Sequence, residues 1–357
     1  MATTFITSLP PHGYTLTSRL DTIQARTDRQ KVTVTVIRDP EGEIDEFFST
    51  TLYPFAGIVE LSALGSLIEQ RFRLLGISHD MISVIIDGVS LDFIALYCAY
   101  NLPDEFSPLT CFWTTSPTAI VHPHSAISLS HHYTGSDTYT VKVVGHTTDG
   151  HIASLSRTFS RRPQSDTVSF SVDEILSFAL NQSEIETADL LASVAYFTIS
   201  YGEIQKIFYL AHHPFFLTFR FRNIFNTPEY IDIVGTLKRK TAVERSLAIC
   251  SGHSRQYNRV INRTYELTTA PLTDDQAKAI EQLIESHSIQ LCGTPSDSDI
   301  LITDHTCEVD NSDDTLISVK FTFRFASPRP TPFASDMTAL MPSATHIFSE
   351  EFTAEFA

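Results

Sequence analysis

Val32, Val34 and Val36 alternate with polar residues, the period of two that marks a strand with one buried face. Asp39-Pro40-Glu41-Gly42 then supplies a turn that returns the chain through Ile44 as a hairpin. The period changes after residue 60. Leu61, Leu64, Leu67, Ile68 and Phe72 fall on one helical stripe, closed by Gly76 at a natural left-handed cap position. Ile82 to Ile86 resumes as a strand before Gly88, and the apolar residues 89–113 predict further core strands. The same succession recurs downstream, with Val141 and Val143, the turn Thr147-Thr148-Asp149-Gly150, Ile152, a stripe of Val172, Ile175 and Phe178, and a strand ending at Gly202. Val34 and Val141 lie 107 residues apart, Gly88 and Gly202 114, so the pattern predicts an internal repeat. Ser171 and Glu174 have the spacing of a capping box for the second helix.

A third region follows a different pattern. Leu217, Phe219 and Phe221 alternate with Thr218, Arg220 and Arg222 until Asn226-Thr227-Pro228 stops the strand. Thr273 and Gln276 predict a capped helix with Ala277, Ile280, Leu283 and Ile284 on one face, between strands at Thr264–Thr268 and Ile300–Ile302. Val319, Phe321, Phe323 and Phe325 alternate after the turn Asn311-Ser312-Asp313-Asp314. The expected fold is therefore mainly β with α (α+β), built of tandem antiparallel β-sandwich-like modules that each carry a short amphipathic helix. Residues 1–30 read as a polar N-terminal arm, 31–118 as a first β-module, 119–235 as a second, 236–330 as an α+β module and 331–357 as an aromatic, acidic tail. Within this scheme the Ser/His-rich stretch from Pro117 to Ser136 is a linker. In the tail, Ile347, Phe348, Phe352 and Phe356 share a helical face among Glu350, Glu351 and Glu355, suited to docking in a groove or folding back on the third module.

At 357 residues the chain exceeds one ordinary core, and 42% hydrophobic content with 25 Phe supports several β-rich ones. A net charge of −17 opposes duplex nucleic acid as a partner. The charge is uneven: Arg220, Arg222, Lys238, Arg239, Lys240, Arg245, Arg255, Arg259 and Arg263 precede an acidic run from Asp274 to Asp314. The two runs are either opposite patches that pair between copies, with Arg255, Arg259 and Arg263 as interaction residues, or solvated faces of one module. Five cysteines, an odd number without metal-binding spacing, read as reduced thiols. The N-terminus lacks a secretory pattern and no apolar run reaches the roughly 20 residues that span a bilayer, so the protein is expected to be made in the cytoplasm and either to stay there or to leave by assembly into a particle or by lysis.

The search for chemistry yields no catalytic residue and no cofactor site. Phosphate-cradling glycine loops, H-E-x-x-H and G-x-S-x-G are all missing. His122 and His124 could share a face toward zinc, but Pro123 between them argues for a loop. Asp297, Asp299, Asp304, Asp310, Asp313 and Asp314 miss the order of a calcium loop and read as solvated turn carboxylates. No metal ligand set is assigned.

The segment Arg222-Asn223-Ile224-Phe225-Asn226-Thr227-Pro228-Glu229, the strand Val319–Phe325 and the β, helix, β order between them resemble structural tail and baseplate proteins of bacteriophages. That resemblance implies a subunit that forms rings through β-modules and exchanged arms. The functional expectation is a non-enzymatic assembly protein whose partners are copies of itself and neighbouring structural subunits. A carbohydrate- or cell-surface-binding sandwich is the alternative, with Trp113 and Tyr133 as stacking residues for a glycan.

Overall fold

The valine alternation at residues 32–36 becomes the middle of a five-stranded sheet. The computed structural model describes residues 3–9, 13–38, 44–103, 105–147, 150–163, 166–180, 191–213, 215–250, 253–293, 297–308 and 317–327, leaving out the side chains of 191, 192, 248–250, 254, 255, 257–260, 307 and 308. The turns at 39–42 and 311–314, residues 148 and 149, and Ile347, Phe348, Phe352 and Phe356 of the tail lie outside the described residues.

The first module comprises β1 (Thr4–Phe5), β2 (Tyr14–Leu16), β3 (Thr22–Arg26), β4 (Val32–Arg38), β5 (Asp45–Leu52), β6 (Ile58–Ser62), α1 (Leu64–Leu75), β7 (His79–Ile86) and β8 (Val89–Leu96). Its sheets run β2-β8-β7-β4-β5 and β1-β3-β6. Between them Ile23, Val34, Val36, Ile68, Phe72, Ile82, Val84 and Ile86 are fully buried. Residues 1–30 are thus not an arm, because β3 pairs with β6 and buries Ile23 and Ala25 in this core. β2 pairs with β8 in parallel, a departure from a purely antiparallel sheet. Leu61 belongs to β6 rather than to the helix, because Ala63 adopts a left-handed backbone, φ 57°, and α1 starts only after it. Among the described residues of 89–113, only Val89–Leu96 forms a strand.

The second module comprises β9 (Thr118–Val121), β10 (Ala126–Ser130), β11 (Thr138–Thr147), β12 (Ile152–Ser160), β13 (Thr167–Ser171), α2 (Val172–Ala179), β14 (Leu191–Tyr201) and β15 (Ile204–Leu210). The stretch expected as a linker therefore holds two strands, β9 and β10. The sheet order β12-β11-β14-β15-β9, with β10-β13 apart, matches β5-β4-β7-β8-β2 with β3-β6 strand for strand. Both β2 and β9 pair in parallel with the last strand of their module. The central pairing is antiparallel in both: Val34 faces Ile86, and Val141 faces Ile199. Ser171 occupies the N-cap of α2 without a side-chain cap bond, and Glu174 pairs with Arg161, 3.2 Å away.

The third module is a single sheet, β17-β16-β20-β21-β22-β19-β18, formed by β16 (Leu217–Arg222), β17 (Pro228–Ile233), β18 (Gly235–Cys250), β19 (His253–Thr269), β20 (Ile289–Leu291), β21 (Ser298–Glu308) and β22 (Ser318–Phe325). It differs in order from the first two, and β16 and β17, placed with residues 119–235 by sequence, join it. α3 (Asp274–Glu285) packs Ala277, Ile280 and Leu283 onto Phe219, Leu267, Phe321 and Phe323, and the expected capping box of Thr273 and Gln276 is formed.

Candidate interaction surface and module junction

β18 and β19 are far longer than the sheet that carries them. β19 contacts β22 only over Tyr265–Thr268, whereas its ladder with β18 continues out to Cys250 opposite His253. Eleven residues of β18 beyond Arg239, at about 3.3 Å each, make a two-stranded ribbon that stands about 35 Å off the sheet. Lys238 through Arg245 are all exposed, as are Leu247 at 66% and Val243 at 41%. A hairpin with both faces in water is marginal by itself.

This ribbon carries the basic residues singled out by sequence. Arg255 lies opposite Ala248, Arg259 opposite Arg245 and Arg263 opposite Thr241. Arg263 is exposed, and the side chains of Arg255 and Arg259 are not among those described. Residues 235–269 hold seven basic and two acidic side chains, a net +5 that leaves −22 on the rest of a −17 chain. The basic run is not one patch, however. Arg222 is drawn into the protein, where its Nη1 donates to the Asn226 carbonyl, and Arg220 sits over the Tyr230 ring. Between Lys238 and Arg245 only Ala242 and Val243 are apolar, too few to line a core face, which marks this stretch as exposed without revealing the ribbon.

The segment from Arg222 to Glu229 is where the three modules meet. The Asn223 Oδ1 accepts from the backbone N–H of Phe225 and of Thr227 and from the Thr227 hydroxyl, which folds the β16–β17 loop on itself. The loop then inserts. Phe225, 1% exposed, stacks on Phe106 and packs with Leu16, Leu96, Cys98 and Trp113. Asn226, at φ 57° and fully buried, donates to the carbonyls of Phe72 and Ile77 at the end of α1.

Glu229 closes the junction. Its carboxylate accepts from Lys206 at 2.8 Å, from Asn223 at 2.8 Å, from the Thr115 amide and hydroxyl at 2.9 and 2.7 Å, and from the Thr114 hydroxyl. Burial alone would raise this carboxyl, but Lys206 beside it and the donated bonds win and hold it at about 2. Module one meets module two nearby. His79 Nε2 and Asp166 Oδ2 are 2.9 Å apart, Tyr14 Oη and His132 Nδ1 also 2.9 Å, and Trp113 packs edge-on against Tyr14 and His79.

The glycan reading loses its platform here, since Trp113 is 1% exposed and donates its indole N–H to the Pro108 carbonyl. Tyr133 is tied to Asp137. His122 stacks on Phe216 and His124 contacts Asp173, and among the described residues no three His, Cys, Asp or Glu side chains form a group that could hold a metal ion. Asp299 accepts from Gln290, and Asp297 and Asp304 are exposed. Among the described residues no helix is long and apolar enough to cross a membrane.

No family model and no curated protein matches the chain. Among solved structures, it is similar to a chain from the tail of an empty gene transfer agent particle with C6 symmetry, at 13% identity and a TM-score of 0.22, over 31% of this chain and 91% of that one. A chain from the virion of a native gene transfer agent particle is similar at 12% identity and a TM-score of 0.23, over 33% of this chain and 95% of that one.

Proposed function

We propose that this protein is a non-enzymatic assembly subunit that acts by binding copies of itself and neighbouring structural subunits. The observation that carries the reading is the ribbon, about 35 Å of paired backbone whose described residues from Lys240 to Arg245 are all exposed, with apolar side chains at Val243 and Leu247 and positive charge on an acidic molecule. Its outer strand β18 pairs on one side only, which leaves an edge open to another strand. The −22 outside the ribbon repels phosphate backbones yet attracts the ribbon of a second copy, so a protein partner fits better than nucleic acid. Closed rings use two different patches per subunit, which a basic ribbon and an acidic body supply. A virion tail or baseplate is the setting that the resemblance of the 222–229 and 319–325 segments implies.

The test shortens the ribbon. Thr241 and Arg263 face each other in the ladder, so an Asn-Gly turn can replace residues 242–262 without touching the core. Light scattering after size separation should show a discrete, salt-sensitive oligomer for the full protein and a monomer of unchanged melting temperature for the shortened one. The same mass for both would overturn the proposal.

A further inference from the structure

The two like modules present the same end very differently. In the second, the segment between β12 and β13 finishes at Asp166, left-handed at φ 62°, whose carbonyl accepts from the His131 amide at 3.1 Å. In the first, the segment between β5 and β6 finishes at Gly57, φ 75°, whose carbonyl accepts from the Thr27 amide at 2.9 Å. The flanking ladders match pair for pair, Arg26 with Ile58 as Ser130 with Thr167. Asp166 and the neighbouring His132 are what the second module uses to dock onto the first, through His79 and Tyr14. The corresponding end of the first module is exposed. Phe55 and Ile58 exchange two 2.9 Å backbone bonds around Ala56 and Gly57, locking a tight turn that holds Phe55 88% and Tyr53 74% exposed. Exposed aromatics on a fixed backbone are costly in water and characteristic of binding hot spots.

We propose that this turn docks onto a second copy of the chain, in the groove between α3 and β21. The groove, about 450 Å³, is lined by Glu281, Ile284, Glu285, His305 and Thr306. Its acidic rim suits the exposed Arg26 and Lys31 that flank the turn, Arg29 being paired with Asp87, and Ile284 offers an apolar contact for a ring. This docking rests on the self-association proposed above but uses residues remote in sequence from the ribbon, so the two can fail separately.

The experiment pairs Tyr53→Ser/Phe55→Ser with a photo-crosslinking amino acid at position 55 of the otherwise native, full-length protein. The double variant should raise the dissociation constant about thirtyfold, as loss of a hot spot does, with the melting temperature unchanged because both rings are exposed. The crosslink should join residue 55 of one copy to peptides within residues 277–308 of another. Unaltered association in the double variant, or a crosslink elsewhere, would overturn this docking and leave the ribbon reading standing. A wild-type monomer at every concentration would overturn both.

Discussion

Replacing Glu229 by Gln removes one charge from a pair whose side chains are only 9% and 3% exposed. Lys206 is then a buried cation without a counter-charge. The amide also supplies one acceptor oxygen where two now take bonds from Lys206, Thr114, Thr115 and Asn223, and it points N–H groups at donors. Breaking one side of a buried pair costs about 3–5 kcal/mol, a large fraction of the roughly 5–15 kcal/mol that holds a typical domain. At about 2–4 °C per kcal/mol for a unit of this size, the melting temperature should fall on the order of 10 °C. The chain carries its own reporter: Trp113, the single tryptophan, accepts at its carbonyl from both Asn223 and Thr227. Urea unfolding followed by tryptophan fluorescence should show the loss directly. A cycle with Lys206→Met should give a coupling energy of at least about 1 kcal/mol. A loss below about 1 kcal/mol for Glu229→Gln, with unchanged tryptophan emission, would refute the view that this pair holds the junction shut.

Two further outcomes follow from the junction. The Glu229 carboxyl is depressed from the ordinary 4.5 to about 2, so its contribution is present in full above pH 4.5 and is lost as the pH falls from there toward 2. Stability measured against pH should drop on the order of 3 kcal/mol more across that window in the native protein than in Glu229→Gln. Asn226→Ala should cost about 2–4 kcal/mol in urea unfolding, through two lost bonds, to Phe72 in α1 and to Ile77 just beyond it, and the strain of alanine at φ 57°, and Asn226→Gly should cost less because glycine carries no such strain. Equal losses for the two variants would show that backbone strain has no part in it.

What the sequence displays clearly is the half-buried strand. Val34 and Val36, Val141 and Val143, Leu217 to Phe221 and Val319 to Phe325 were legible because a two-residue period has one structural cause. The like order of the first two modules was visible in the spacing of those same residues. Short strands escaped notice: β2, β3, β9 and β10 have three to five residues each, too few to establish a period, so their stretches read as arm and linker. The capping box at Ser171 had the right spacing but is not formed, and Glu174 pairs instead with Arg161, thirteen residues before it. Most of the candidate surface lay hidden for a geometric reason. The ribbon's exposure depends on how few residues of β19 reach β22, and the junction gathers Leu16, Leu96, Trp113 and Phe225 from across the chain. Exposed Tyr53 and Phe55 look, in sequence, like any other aromatics of a β-rich protein.

The apolar cluster of Leu16, Leu96, Cys98, Trp113 and Phe225 also sets a timetable for synthesis. A chain leaving the ribosome can pair β4 with β5 within some twenty residues, but β2 must wait for β8, and Leu16 finds Phe225 only 209 residues later. Until then the joint between the first two modules lacks its wedge, and the buried ends of Leu16 and Trp113 stay open to water. The β16–β17 loop therefore works as a latch that closes only after both modules have been made, so that the start of the third module fixes the other two in place.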